Sequence, residues 1–465
     1  MGLMRTINQA LFKLICSTSL FYLQLFSILI FLLLNNHSNH VNYFLVMQGL
    51  IIGLVAIILI VNVSSGLLAQ VVGIFFFVSF CCFPILEMFT DTIYWGGAEL
   101  STWDRFLANL IVTIFLVLFI IGYRFRFRIP AFIVLGFPKS IKVSQLVILL
   151  IILILIFSFV LYLYAWNFIT LFFRGGEYNT ELDVELKSSF LLVEFFLRPL
   201  LFNLGLFLFY FARDNKGMAI FALCLGLFAV SPTGVPRFLA TAMYMPFLLN
   251  WAFVQANDRK ATLHFPKLVL PNMLLVGLFS IFPFLDIFRT FSLGVDGTFN
   301  VFGLNAMLAG HFDSYQMFVR ALSNGELTYG YGFFGALLFF VPRSLWSTKP
   351  IGSAQEVAHL TNLSFDNLSM TLVAEFYLNF WYIGIIFGAL LLGVAVRSID
   401  IQFIRKRKYE ISVQWIFYFQ SVGLLLFILR GSFLSAFAYS VAVALTWLTI
   451  RLFYRLTYFD FTKKY

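Results

Sequence analysis

The sequence predicts an all-α polytopic membrane protein with about 12 transmembrane helices, and three observations carry that expectation. Hydrophobic residues make up 61% of the 465 and charged residues only 11%, whereas roughly a quarter of a soluble chain is charged. Apolar runs long enough to cross about 30 Å of hydrocarbon as a helix, on the order of 20 residues each, recur from Cys16 onward. Lys and Arg are unevenly placed: with the N-terminus in the cytoplasm, 21 lie outside the spans on that side and 9 on the other, with Arg198 inside a span. This follows the positive-inside rule and puts both termini in the cytoplasm. YRFRFR (123–128) and RKRK (405–408) are then topological anchors, so the net charge of +10 calls for membrane lipid and no nucleic acid.

The expected spans are 16–34, 43–61, 67–90, 105–122, 145–166, 189–211, 217–231, 238–255, 266–286, 372–395, 413–430 and 435–453. The first is followed by NNHSNH rather than a small-residue cleavage site, so it reads as a retained helix and not a signal peptide. Cys16, Cys81, Cys82 and Cys224 all fall within spans as packing residues, which offers neither a disulfide framework nor a thiolate metal site. The two halves show no matched broken helices, which weighs against a repeat-built transporter. Residues 1–465 therefore read as one integral membrane domain, with a large exterior loop at 287–371. Loops of that length in membrane proteins are usually functional.

Within the loop, Phe312, Tyr315, Val319 and Leu322 recur at helical spacing, which predicts a helix lying on a surface by one apolar face. Asp313, Gln316 and Arg320 share the opposite side. Asp313 with Gln316 imitates a capping box, and a functional carboxylate is the other reading. His311 is a candidate proton acceptor. The run Gly332 to Phe340 is too short to span, so it lies at the interface or dips in and returns. Pro342 then stops it, releasing Arg343 and Lys349 at headgroup depth on the exterior side, where cations are disfavoured. Either they grip an anionic lipid-linked group, guanidinium bidentately and ammonium as a point charge, or they anchor headgroups beside an interface Trp346. Arg237, Arg289 and Arg430 bring further cations to the same face. Glu375 opens the tenth span and Glu194 with Arg198 sits within the sixth; ionisable groups there are functional candidates, although Glu194 and Arg198, four residues apart, also suit mutual neutralisation.

Four segments occur in order: GHFDSYQ (310–316), YGYGFFGALLFFVPRSLWSTKP (329–350), AEFYLNFWYIGIIFG (374–388) and ILRGSF (428–433). This ordered set resembles the Wzy-type O-antigen polymerases, bacterial inner-membrane enzymes that extend surface polysaccharide. The resemblance covers Arg237 to Ser432; before that it is general hydrophobic architecture. One departure is NFWYIG, where a glycine commonly follows the Asn-Phe pair and this chain has Trp381.

The resemblance implies a GT-C-like helical glycosyltransferase with a large periplasmic loop of short amphipathic or re-entrant helices. Its donor would be a glycan on undecaprenyl diphosphate, its acceptor a lipid-linked repeat unit, and its further partners a flippase and a chain-length regulator. No cofactor is implied, and no DxD or carboxylate and histidine spacing indicates a metal. Arginines would stabilise the departing diphosphate: Arg237, Arg289, Arg343 and Arg430, with Lys349 and Arg320 secondary. His311, Asp313 and Glu375 are the candidates for deprotonating the acceptor hydroxyl. Tyr315, Tyr329, Tyr331 and Trp346 are the candidates for stacking on sugars. A lipid-linked oligosaccharide flippase and an O-antigen ligase are the competing readings.

Overall fold

The computed structural model describes residues 42–61, 66–125, 137, 140–164, 166–172, 192–212, 214–258, 312–366, 368–404 and 410–457, with isolated positions between 270 and 277. These residues are helical and contain no strand. Eight helical stretches are long and apolar enough to cross a membrane, and the chain is a multi-pass membrane protein. The expected span 16–34 lies outside the described residues, as does almost all of 266–286.

Helix α1 runs Tyr43–Val61, and α2 (Leu67–Phe77) continues through a π-turn at Val78–Cys82 into α3 (Phe83–Thr90). Then come α4 (Thr102–Arg124) and α5 (Val143–Leu163). A second π-turn, Val193–Leu197, leads into α6 (Arg198–Phe211). Both π-turns have one cause. Pro84 and Pro199 open the helices that follow, and a proline ring clashes with the carbonyl four residues back. Those carbonyls belong to Phe80 and Phe195, inside the two widened turns, where an i→i+5 ladder gives the ring room.

Helix α7 (Lys216–Ala229) is a shorter apolar helix of 14 residues. Helix α8 (Arg237–Asp258) contains Pro246, and it is not among the eight stretches counted above. The loop region supplies α9 (Ser314–Asn324), α10 (Tyr331–Leu337) and α11 (Ser353–Leu360). The bundle closes with α12 (Leu372–Ile404), α13 (Val413–Arg430) and α14 (Phe433–Leu456).

The main pairings are α4 with α12, α6 with α7, α8 with α13 and α1 with α2. Glycine permits the first of them: a Cβ on Gly122 would stand 2.4 Å from the Leu390 carbonyl oxygen, and one on Gly393 2.4 Å from that of Phe119. Small residues let transmembrane backbones approach in this way. Two apolar cores result, one around α2, α3, α9 and α12 and the other around α6, α7, α8 and α14, with α13 contributing to both. Inside the second, Gln420 donates to Asn203 (2.6 Å), Asn203 to Thr446 (2.7 Å) and Trp447 to Gln420 (2.8 Å), tying α6, α13 and α14 together with no polar end left to lipid.

At the end of the bundle away from the loop, Asp400 of α12 is fully buried. It accepts hydrogen bonds from the backbone N–H groups of Leu68 and Ala69 (both 3.2 Å), from Tyr123 (3.0 Å) and from Tyr418 (2.6 Å). Gly66 and Leu67 donate in turn to the Tyr123 and Tyr418 hydroxyls. All four orphan donors at the start of α2 are thus held by side chains remote in sequence.

The cysteine expectation holds for Cys81, which is buried; Cys224 is exposed, so it packs no protein core, and Cys16 lies outside the described residues. Trp381 interrupts α12 at φ 54°, ψ −150°. That region is open essentially only to glycine and costs other residues about 1–3 kcal/mol. Trp381→Gly should therefore unfold at a higher temperature than Trp381→Ala, by the equivalent of roughly 1 kcal/mol. Equal melting midpoints of the two purified variants would show that the backbone stores no strain there.

Candidate functional site

The site grows from the helix ends at the loop-bearing end of the bundle. Helices α8 and α13 run antiparallel, with Phe238 stacked on Phe427 and Phe253 near Trp415, so Arg237 at the start of α8 and Arg430 at the end of α13 share one face. About these ends pack the 91–101 connection and α9, through Trp95, Asp313 and Arg430, α10 through Phe333 on Phe433, α11 through Gly352 against Ser432, and the first turn of α12 through Glu375.

Asp313 is the hub. Its backbone is helical (φ −64°, ψ −6°) and its side chain caps nothing, so the capping-box reading fails. Instead Oδ2 accepts from Trp95 Nε1 at 3.0 Å and Oδ1 from Ser369 Oγ. Arg430 Nη2 lies 3.7 Å from Oδ1, with the arginine side chain 46% exposed and that of Asp313 only 2%. A carboxylate fixed inside the protein thus steers a guanidinium that faces outward.

Helix α9 has the expected periodicity and an unexpected setting. Phe312, Tyr315 and Val319 are buried, and so are Asp313, Gln316 and Arg320. The polar face is covered by the 91–101 connection: Gln316 Nε2 donates to the Thr92 carbonyl (2.8 Å) and to Glu87 (3.1 Å), Tyr94 N–H donates to Gln316 Oε1 (2.9 Å), and Arg320 donates to the Gly96 carbonyl (2.8 Å). Helix α9 is therefore plugged into the bundle rather than laid upon it. Arg320 has its charge turned to that connection. Tyr315 is 1% exposed and meets Phe80 edge-on, a place for packing that no sugar reaches.

The elbow after α10 holds its own backbone. Helix α10 ends at Leu337, before Pro342, so proline does not terminate it. Lys349 Nζ donates to the carbonyls of Phe339 (2.6 Å) and Val341 (2.9 Å), and Arg343 to those of Lys349 (2.6 Å) and Pro350 (3.1 Å). Trp346 Nε1 donates to the Tyr331 hydroxyl (3.1 Å), which reaches the Thr348 carbonyl (2.8 Å). Burial and the neighbouring Arg343 charge lower the Lys349 pKa. Arg343 is exposed and Tyr329 is 86% exposed.

Glu375 is buried, accepting from Ser353 Oγ and from the Phe433 N–H (2.7 Å). It caps the start of α14, where a negative charge suits the helix dipole, and binds α11 to that junction. Glu194 and Arg198 form the expected pair at 2.5 Å, with Arg198 also donating to the carbonyls of Ala229 (2.6 Å) and Leu171 (3.1 Å). Arg289 and His311 lie outside the described residues.

The structure thus brings together Asp313, Arg430 and, through Ser353 and Phe433, Glu375, with Arg237 on the same face. It keeps Arg343, Lys349 and Trp346 in a separate self-bonded elbow. Sequence reasoning missed Trp95, Ser369 and Glu87, whose partners lie more than 50 positions away. Among the described residues no group of three or more His, Cys, Asp and Glu stands together as metal ligands. No protein-family model matches the chain, and comparison with curated proteins and with solved structures finds no match.

Proposed function

We propose that this protein is a polysaccharide polymerase of the O-antigen type, transferring a growing glycan from undecaprenyl diphosphate to a lipid-linked repeat unit at the periplasmic face of the inner membrane. The observation that carries the reading is the half-exposed Arg430 guanidinium backed by the buried Asp313 carboxylate, on the face that also bears Arg237. A leaving diphosphate needs fixed positive charge where its own charge develops, and preorganised arginines in a shielded site supply it. Arg343 contributes by holding the elbow rigid through two carbonyls, so that the exterior loop covers the site. The exposed Tyr329 and the elbow Trp346 are the aromatic surfaces left for sugar rings.

Purified protein supplied with lipid-linked repeat units should extend them into a ladder, in the presence of chelator. Movement of repeat units across a liposome membrane without extension would point to a flippase, and transfer onto lipid A core to a ligase. In cells, Arg343→Ala should limit surface glycan to a single repeat unit while protein remains in the membrane. Long ladders in that strain would remove the elbow from the mechanism.

A further inference from the structure

If the site transfers a glycan to a hydroxyl, something must take the hydroxyl proton, and the carboxylates named so far are poorly placed for it. Asp313 and Glu375 are each buried and each already accepts from two donors.

Glu356, on α11, is different. The stretch SAQE at 353–356 has the spacing of a capping box, in which Ser353 would cap the helix and Glu356 would reach back to it. Neither happens. The helix begins one residue earlier, with Gly352 as the N-cap and no side-chain cap bond, and the Ser353 hydroxyl turns away to Glu375. The Glu356 carboxylate is left partly exposed, and among the described residues it accepts no hydrogen bond and pairs with no cation.

Its place is fixed from below. Ser353, three residues back, is bonded to Glu375, and Gly352 lies against Ser432, two residues after Arg430. Helix α11 therefore stands directly over the Arg430 turn. Among the described residues, the charged groups nearest Glu356 come from the segment after α9, from α9, α11 and α12, and from the Arg430 turn beneath α11. Glu326, from the segment after α9, acts on Glu356 electrostatically, and Glu356 in turn acts on Glu375 of α12. On α9, Asp313 and Arg320 are committed to Trp95, Ser369 and Gly96, and His359 on α11 itself is exposed.

We propose that Glu356 is the catalytic base of this site, taking the proton of the acceptor hydroxyl as that oxygen attacks the donor's anomeric carbon. The proposal rests on the polymerase reading above. The acceptor O–H bond breaks with its proton passing to the carboxylate, a C–O bond forms to the anomeric carbon, and the bond to the diphosphate breaks with the electron pair leaving on the phosphate oxygen beside Arg430. Burial, with the Glu326 charge second, raises the Glu356 pKa above the ordinary carboxylate value, which strengthens it as a base.

The test is the pH profile of glycan extension by purified wild type, Glu356→Gln and Glu356→Asp on lipid-linked repeat units. A base acts only when deprotonated, so wild-type kcat should rise with pH through the raised Glu356 pKa. Glu356→Gln should lose about 10²–10⁴-fold in kcat, the usual contribution of general-base catalysis, with KM little changed and the acidic limb gone. Glu356→Asp should recover part of the rate and the limb. If Glu356→Gln keeps the wild-type rate and acidic limb, or if both variants fail alike with the acidic limb still present, Glu356 is not the base and the polymerase reading stands. If the wild type itself makes no ladder, the polymerase reading and this proposal both fall.

Discussion

Arg430→Ala is expected to cut the rate of glycan extension by about 10²–10³-fold, the loss typical when one preorganised donor to developing charge is removed, while the purified protein melts as the wild type does. The reason for sparing stability is exposure: nearly half of the Arg430 side chain is accessible, and its contact with Asp313 is a long one at 3.7 Å. The buried Asp313 carboxylate keeps its hydrogen bonds from Trp95 and Ser369 when the guanidinium is removed, so it is not left unsatisfied. Arg430→Lys should recover only a small part of the rate, because an ammonium cannot meet two phosphate oxygens from one planar group. Extension by Arg430→Ala at the wild-type rate would take the arginine out of the site, and with it the observation on which the functional proposal rests.

Asp400→Ala should act in the opposite sense, destroying the fold before any chemistry is tested. Removing the carboxylate leaves the N–H groups of Leu68 and Ala69 and the hydroxyls of Tyr123 and Tyr418 without their buried acceptor. Each unsatisfied buried group costs roughly 1–3 kcal/mol, so the total is on the order of 5 kcal/mol, which is exceptional for one substitution. The check is the yield of monodisperse protein from membranes and its thermal midpoint. Asp400→Asn, which keeps one acceptor oxygen, should fall between the two. A normal yield and midpoint for Asp400→Ala would mean that water or lipid headgroups reach the start of α2.

The outer boundaries of the fold were legible where hydropathy and helix end together. The edges expected at 43–61, 67–90 and 413–430 are those observed, because in each the uninterrupted apolar run stops where the helix does. Helix α12 shows why this fails elsewhere. It was expected to end at 395 and runs to Ile404, since its last turns bury Asp400 against protein rather than lipid, and a charge satisfied there does not mark an end.

The candidate site was legible only in its cations. Arg237 and Arg430 could be placed on one face by counting spans, but nothing local to Asp313 announces Trp95, Ser369 or Arg430 as partners. Helix α9 carries a regular apolar stripe, yet periodicity says only which residues share a side, not that a second segment covers the other. The two cations of FVPRSLWSTKP were expected to be bound outward or spent on headgroups, and four carbonyls of the elbow itself take their hydrogen bonds. Trp381 stands where the family resemblance leads one to expect glycine, and its positive φ of 54° is the conformation that glycine adopts freely.

The acceptor at the start of α2 has a consequence in time. Leu68 and Ala69 wait for a residue 332 and 331 positions later in the chain, and at a synthesis rate of about 5–20 residues per second this is roughly 15 to 70 s. During that interval α2 sits in the bilayer with the amides of Leu68 and Ala69 held by water and headgroups alone. A chain halted before residue 400 would never close that junction, and the cell's membrane proteases would meet it as an unfinished protein whichever helix carried the fault.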